Sequence, residues 1–139
     1  MPFDDTLFLK TKVDILSFFN EEQLRRITPD IERKVCSKGE TIVFRGEVTS
    51  GFYIVKKGKV SAVLAPKQGP VVQRVLDAGD FFGEMSLFEE APAKDTVRAA
   101  EDGTEILVIG HESFQKLLAM QPLLKKALAD KIASRSEKK

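Results

Sequence analysis

Gly79-Asp80-Phe81-Phe82-Gly83-Glu84-Met85-Ser86-Leu87-Phe88-Glu89-Glu90-Ala91-Pro92-Ala93-Lys94-Asp95-Thr96-Val97-Arg98-Ala99 is the stretch on which the reading of this chain turns. It opens as a turn, passes through Gly83 into a helix-competent run, breaks at Ala91-Pro92 and re-enters a strand-like segment at Thr96-Val97. A glycine ahead of a short helix lets the backbone approach a ligand closely, and the free N–H groups of a first helical turn can hold an anion. Between two strands such a segment is an insertion in an all-β pattern. That makes it the first place to look for a site.

The surrounding sequence, from Glu32 to Ile109, consists of short apolar runs separated by turn signals. Thr41-Ile42-Val43-Phe44 is bounded by Gly39 and Gly46, and Phe52-Tyr53-Ile54-Val55 runs into Lys56-Lys57-Gly58-Lys59, which reads as a hairpin turn. Val60 to Leu64 ends at Pro66 and Gly69-Pro70; Val71 to Leu76 stops at Ala78-Gly79-Asp80. Asp102-Gly103 joins Val97-Arg98-Ala99 to Glu105-Ile106-Leu107-Val108-Ile109. Turns this closely spaced, with β-branched and aromatic residues between them, predict a sandwich or jelly roll. No crossover helix fits between these runs, which excludes a parallel α/β sheet. Phe44, Phe52 and Tyr53 are expected in the core, since aromatic residues on strands are usually packing residues.

Helical patterns flank the strands. Leu9, Val13 and Leu16 stand at near-helical spacing, and Asn20-Glu21-Glu22-Gln23 reads as a capping box opening a helix to about Ile27, which Pro29 ends. After the strands, Phe114, Leu117 and Leu118 share a helix face. Pro122 can start a second helix, on which Leu124, Leu128 and Ile132 form an apolar stripe. Ser134 to Lys139 are polar and expected to fray. The fold class expected is mainly β with flanking helices: an antiparallel, eight-stranded β-roll or jelly roll (double-stranded β-helix). Residues 1–31 form an N-terminal helical segment, 32–110 the roll and 111–139 the C-terminal helices, all within one domain.

Composition narrows the function classes. The 139 residues suit one domain, and 42% hydrophobic with 31% charged residues describes a globular protein. A net charge of +1 supplies no field to draw in nucleic acid. The basic excess from Lys125 to Lys139 reads as a solvated helix face. No apolar run approaches the roughly 20 residues of a membrane span. The acidic N-terminus lacks the basic and apolar regions of a signal peptide. Cys36 is the single cysteine, which excludes an internal disulfide and suits a reducing cytoplasm. With one histidine beside it in the whole chain, no zinc site can be assembled from these ligands. His111 has no nucleophile or metal-ligand companion, so no enzyme is expected.

Phe82-Gly83-Glu84-Met85-Ser86-Leu87, followed by Pro92, Thr96 and Val97, resembles the phosphate-binding cassette of the cyclic nucleotide-binding domain family. Arg45-Gly46-Glu47 through Gly51-Phe52-Tyr53-Ile54 to Gly58-Lys59-Val60 is similar to a second signature of that family, and the likeness extends from about Leu7 to Ile132. The resemblance implies a cyclic nucleotide, most simply cAMP, lying in the roll with its ribose-phosphate against the cassette. Glu84 would accept from the ribose 2′-OH, while Gly83, Met85 and Ser86 would offer backbone N–H groups or close approach to the phosphate. Phe82 and Thr96 bound the same contact set. The family carries an arginine directly after the proline, where this chain has Ala93. Lys94 is a point-charge substitute or a loop lysine. Asp95 adds a negative charge near the phosphate position, with Arg98 as a partner or an exposed strand residue.

In related domains the last helix moves when ligand binds and reports occupancy. The output here is expected in a partner protein or in a missing output domain, and the C-terminal helix is a candidate for homodimer contact. No cofactor, nucleic acid or membrane is implied. Two functions remain open on the sequence. One is a cyclic nucleotide sensor or regulatory domain, weakened at Ala93; the other is a nucleotide-free β-roll serving as a protein-interaction module.

Overall fold

The computed structural model describes residues 5–13, 16–17, 19–47, 51–64, 72–82 and 96–137. Eight strands stand among them: β1 (Glu32–Cys36), β2 (Thr41–Val43), β3 (Gly51–Lys57), β4 (Val60–Leu64), β5 (Val72–Leu76), β6 (Phe81–Phe82), β7 (Thr96–Ala99) and β8 (Thr104–Gly110). They form two four-stranded sheets, ordered β1-β8-β3-β6 and β2-β7-β4-β5. All pairings are antiparallel. The pairs β4–β5, β3–β6, β2–β7 and β1–β8 are nested, as in one long two-stranded ribbon closed at β4–β5. Coiling that ribbon adds β3–β8 and β4–β7 and completes each sheet. This is the jelly roll expected from the turn spacing.

The core between the sheets draws on every strand, with alternate residues of β3, β4, β7 and β8. Cys36, Tyr53, Val55, Phe82, Ile106 and Val108 come from the first sheet; Val43, Val60, Ala62, Leu76, Val97 and Ala99 come from the second. Burying a Val, Leu, Ile or Phe side chain contributes about 1.5–3 kcal/mol, so this cluster is the main source of the roll's stability. Phe52, Ile54, Phe81, Leu107 and Ile109, which alternate with it in the first sheet, are buried on that sheet's opposite face.

Two local expectations are corrected. The Lys56–Lys59 turn is not a hairpin, because β3 lies in the first sheet and β4 in the second. A strand-glycine-strand pattern looks the same locally whether the second strand pairs with the first or crosses to the facing sheet. The corner is packed rather than open. Gly58 has φ +84°, a Cβ there would lie 2.6 Å from Thr104 Oγ1, and Ala100 N–H donates to the Lys59 carbonyl at 2.8 Å. Phe44 is 60% exposed instead of buried. Val43, the last residue of edge strand β2, takes the inward position, so the next side chain turns outward.

The chain divides into two compact units, residues 1–30 with 112–139, and residues 31–111. The first contains α1 (Asp5–Lys12), α2 (Glu21–Arg25), a 3-10 turn (Thr28–Asp30), most of α3 (His111–Met120) and α4 (Leu123–Glu137). The capping box forms as expected: Gln23 N–H donates to Asn20 Oδ1 at 2.8 Å, and Asn20 N–H donates to Gln23 Oε1 at 3.0 Å. Pro29 sits inside the 3-10 turn rather than beyond the last helical residue. Within this unit Gln121 Nε2 donates to Gln23 Oε1 at 3.4 Å, and Lys116 pairs with Asp30 at 3.9 Å, which ties the two ends of the chain together. Leu124 and Leu128 are buried; the side chain of Ile132 is outside the described set. The tail expected to fray from Ser134 is helical to Glu137. No glycine or proline follows Pro122, and polar residues alone do not stop a helix.

Candidate functional site

Segment 83–95 leaves one sheet and returns in the other. Its entry is Phe82, the end of β6, paired with Tyr53 of β3 in the first sheet. Its exit is Thr96, the start of β7, paired with Val63 of β4 in the second. Both ends are held. The Phe82 and Tyr53 rings stack with centroids 5.0 Å apart and planes 16° from parallel. Thr96 is half-buried, and its Oγ1 accepts the Arg45 N–H at 3.1 Å.

The turns beside these ends share one construction. In Phe44-Arg45-Gly46-Glu47, the Glu47 N–H donates to the Phe44 carbonyl at 3.0 Å, and Glu47 Oε1 accepts the Phe44 N–H at 3.0 Å. Gly46, at φ +91°, occupies the third position, as a type II turn requires. Asp77-Ala78-Gly79-Asp80 repeats it, with Asp80 N–H to the Asp77 carbonyl and Asp77 N–H to Asp80 Oδ2, both at 2.9 Å. Ser37-Lys38-Gly39-Glu40 is a third copy, at 2.9 Å and 3.1 Å. Each carboxylate satisfies an N–H that the turn would leave to solvent. The Asp80 turn is also bonded into β3, with Val55 N–H to the Asp80 carbonyl at 2.9 Å and Gly79 N–H to the Val55 carbonyl at 2.8 Å. Phe82 follows two residues later, so this turn aims the chain into the segment. Sequence reading singled out the glycines but not the structural work of Glu40, Glu47 and Asp80. The signal was present as the recurring glycine-acid pair.

Among the sequence-derived site residues, the structure places Phe82, buried, and Thr96, half-buried, at the two ends. Gly83, Glu84, Met85, Ser86, Ala93, Lys94 and Asp95, with the short helix expected from Gly83, lie outside the described residues. Arg98 is exposed on β7, and its Nε donates to Thr41 Oγ1 at 3.3 Å across the strand pair.

Tyr53 is 5% exposed, and burial raises its phenol above the ordinary range, with Glu47 and Glu32 adding to the effect. It stays neutral at physiological pH. Lys34 Nζ stands 5.9 Å from its ring centroid, a cation over an aromatic face. Among the described residues there is no cluster of three or more His, Cys, Asp or Glu able to hold a metal ion. Among them, too, no helix is long and apolar enough to cross a membrane.

The family model described as "Cyclic nucleotide-binding domain" matches residues 33–121, from β1 through α3. The cGMP-dependent protein kinase egl-4 of Caenorhabditis elegans is 32% identical over 123 residues, which are 87% of this chain and 16% of that protein. The cAMP-dependent protein kinase regulatory subunit of Yarrowia lipolytica is 30% identical over 111 residues, 80% of this chain and 28% of that protein. The chain thus spans only 16% and 28% of the lengths of these two relatives. Among solved structures, the regulatory domain of Toxoplasma gondii PKA with cAMP superposes with a TM-score of 0.80 at 27% identity. That superposition covers 93% of this chain and 48% of the other. A match across the whole roll, with relatives at this identity over most of the chain, carries one conclusion: the chain belongs to the cyclic nucleotide-binding domain family.

Proposed function

We propose that this domain binds a cyclic nucleotide, cAMP or another of the class, and acts as a non-catalytic sensor or regulatory module. The observation that supports the reading best is the anchoring of segment 83–95. Its ends, Phe82 and Thr96, sit in opposite sheets of the roll and are held by stacking on Tyr53 and by the Arg45 N–H. A ligand held by that segment would touch Glu84 through its ribose and the N–H groups of Gly83, Met85 and Ser86 through its phosphate. Ala93 withholds the charge-assisted contact of an arginine, Lys94 offers a point charge, and Asp95 opposes one. Affinity roughly tenfold to a hundredfold below that of an arginine-bearing cassette follows from losing one ionic hydrogen bond.

The relatives are named for cGMP-dependent and cAMP-dependent kinases, and one similar structure holds cAMP. These likenesses favour nucleotide binding over a nucleotide-free interaction module. The output is a partner protein or a domain joined to this one in a longer chain, acting in the cytoplasm, with α4 as a candidate dimer contact. Calorimetric titration of the purified protein with cAMP, cGMP and cyclic dinucleotides tests the reading. Saturable one-site binding of a cyclic mononucleotide is the expected result; no heat and no thermal stabilisation at millimolar ligand would refute it.

A further inference from the structure

One row of side chains crosses all four strands of the second sheet on its outer face. Thr41 of β2 pairs with Arg98 of β7, Arg98 pairs with Ser61 of β4, and Ser61 pairs with Val75 of β5. Arg98 stands between Val97 and Ala99, and Ser61 between Val60 and Ala62. All four neighbours belong to the core between the sheets, so strand alternation turns Arg98 and Ser61 outward. Val75 precedes the core residue Leu76 and is 53% exposed. Thr41 joins the row through a bulge. The register of β2 against β7 shifts between Thr41 and Val43, and Ile42 and Val43 both pack on the core. That irregularity re-aims Thr41 toward the Arg98 side. There its Oγ1 accepts the Arg98 Nε–H at 3.3 Å.

That bond orients the guanidinium and leaves its terminal amino groups as an exposed fork. Among the described residues no carboxylate pairs with Arg98, whereas Arg25, Arg26 and Arg33 stand 3.2 Å, 3.8 Å and 3.8 Å from a glutamate. Arg98 is thus an oriented, uncompensated cation in a row otherwise made of two hydroxyls and a valine. A planar fork of this kind binds an oxyanion with two parallel bonds. Charge decides among the anions. Nucleic acids and anionic membranes are held by several cations at once, and this row supplies one. One positive charge is balanced by one carboxylate, not by a phosphate monoester of about −1.5 to −2. Val75 lies two strands from Arg98, about 10 Å away, so a chain segment reaches both and a free small acid does not. We propose that the outer face of the second sheet docks a protein segment that presents one Asp or Glu carboxylate beside apolar side chains. The carboxylate sits on the Arg98 fork and the apolar groups on Val75. Nucleotide binding is not needed for this contact.

Selection of a random peptide display library on the purified chain, at low and at high salt, tests the surface. Wild type is expected to enrich peptides with one Asp or Glu next to apolar residues, held less tightly at high salt. The best peptide is then synthesised and titrated against variants first shown to melt cooperatively. Arg98→Gln is expected to weaken it about tenfold to a hundredfold, as loss of an ionic hydrogen bond does. Arg98→Lys keeps the charge but not the fork, and Thr41→Val removes the orienting hydroxyl; both are expected to fall between. Backbone amide shifts during the wild-type titration are expected to centre on Thr41, Ser61, Val75 and Arg98. If Arg98→Gln does not fold, Arg98→Lys and Thr41→Val carry the comparison. A library that enriches nothing, peptides that bind the variants as tightly as wild type, or shifts that centre elsewhere overturn the proposal. A phosphoserine counterpart that binds more tightly than the carboxylate peptide overturns the choice of partner.

Discussion

At the residue scale, Gly58 and Gly103 separate two reasons for needing glycine. Both have positive φ, +84° and +74°. A Cβ on Gly103 would meet nothing within 4 Å, whereas one on Gly58 would sit 2.6 Å from Thr104 Oγ1 and 3.0 Å from Thr104 Cα. The Thr104 hydroxyl cannot simply turn away, because it donates to the Glu101 carbonyl at 2.8 Å. Gly103→Ala is therefore expected to cost about 1 kcal/mol of backbone strain. Gly58→Ala carries that strain plus the clash and is expected to cost about 2–4 kcal/mol. Urea unfolding of the two variants checks this, and equal losses would contradict it.

At the element scale, the short strand β6 and the four-residue β7 serve as the two posts of segment 83–95. They bury Phe82 and Val97 in one core, so the residues flanking the segment are held by the roll. Affinity should then be adjustable within the segment without disturbing the fold. Ala93→Arg is expected to raise cAMP affinity about tenfold to a hundredfold by restoring a charge-assisted contact. Asp95, two residues on, competes for the new arginine, so Ala93→Arg with Asp95→Ala is expected to bind more tightly than the single variant. Glu84→Ala should undo the gain. A fluorescent cAMP analogue gives the comparison; a folded double variant that still binds no cAMP would show that more than the arginine is missing.

At the scale of the whole molecule, the buried titratable groups predict how stability depends on pH. Cys36 is 3% exposed, and its thiol is pushed above its ordinary range by burial first and by Glu40 second, with Lys34 opposing. Tyr53 is shifted in the same direction. For both groups the folded state holds the proton more tightly than the unfolded chain does. As pH rises, the unfolded chain deprotonates first and is favoured by doing so. Stability from these groups is complete below the ordinary thiol pKa and is lost as pH climbs through the raised values. Denaturant unfolding between pH 7 and 11 should show a decline that begins at about pH 8.5–9, the usual thiol range, and steepens near 10 as phenol joins. Tyr53→Phe should remove the steeper part. A variant curve identical to wild type would count against the shift.

The sequence by itself determined whatever depends on neighbours along the chain. The Asn20–Gln23 capping box, the turn glycines, the apolar runs of β3 and β8, and the family cassette with its Ala93 were all legible because each is set by a few consecutive residues. Only the tertiary structure decided which strands pair. The turn at Gly58 crosses between sheets, and the charged run Glu32–Cys36, exposed at four of its five positions, becomes a strand because β8 offers it an edge. Long-range pairing also turned Phe44 out to solvent. The physical reason is common to all three. A strand's local geometry is the same whichever partner it takes, and the choice is made by burying two sheets' inner faces against each other, an energy that no single segment contains.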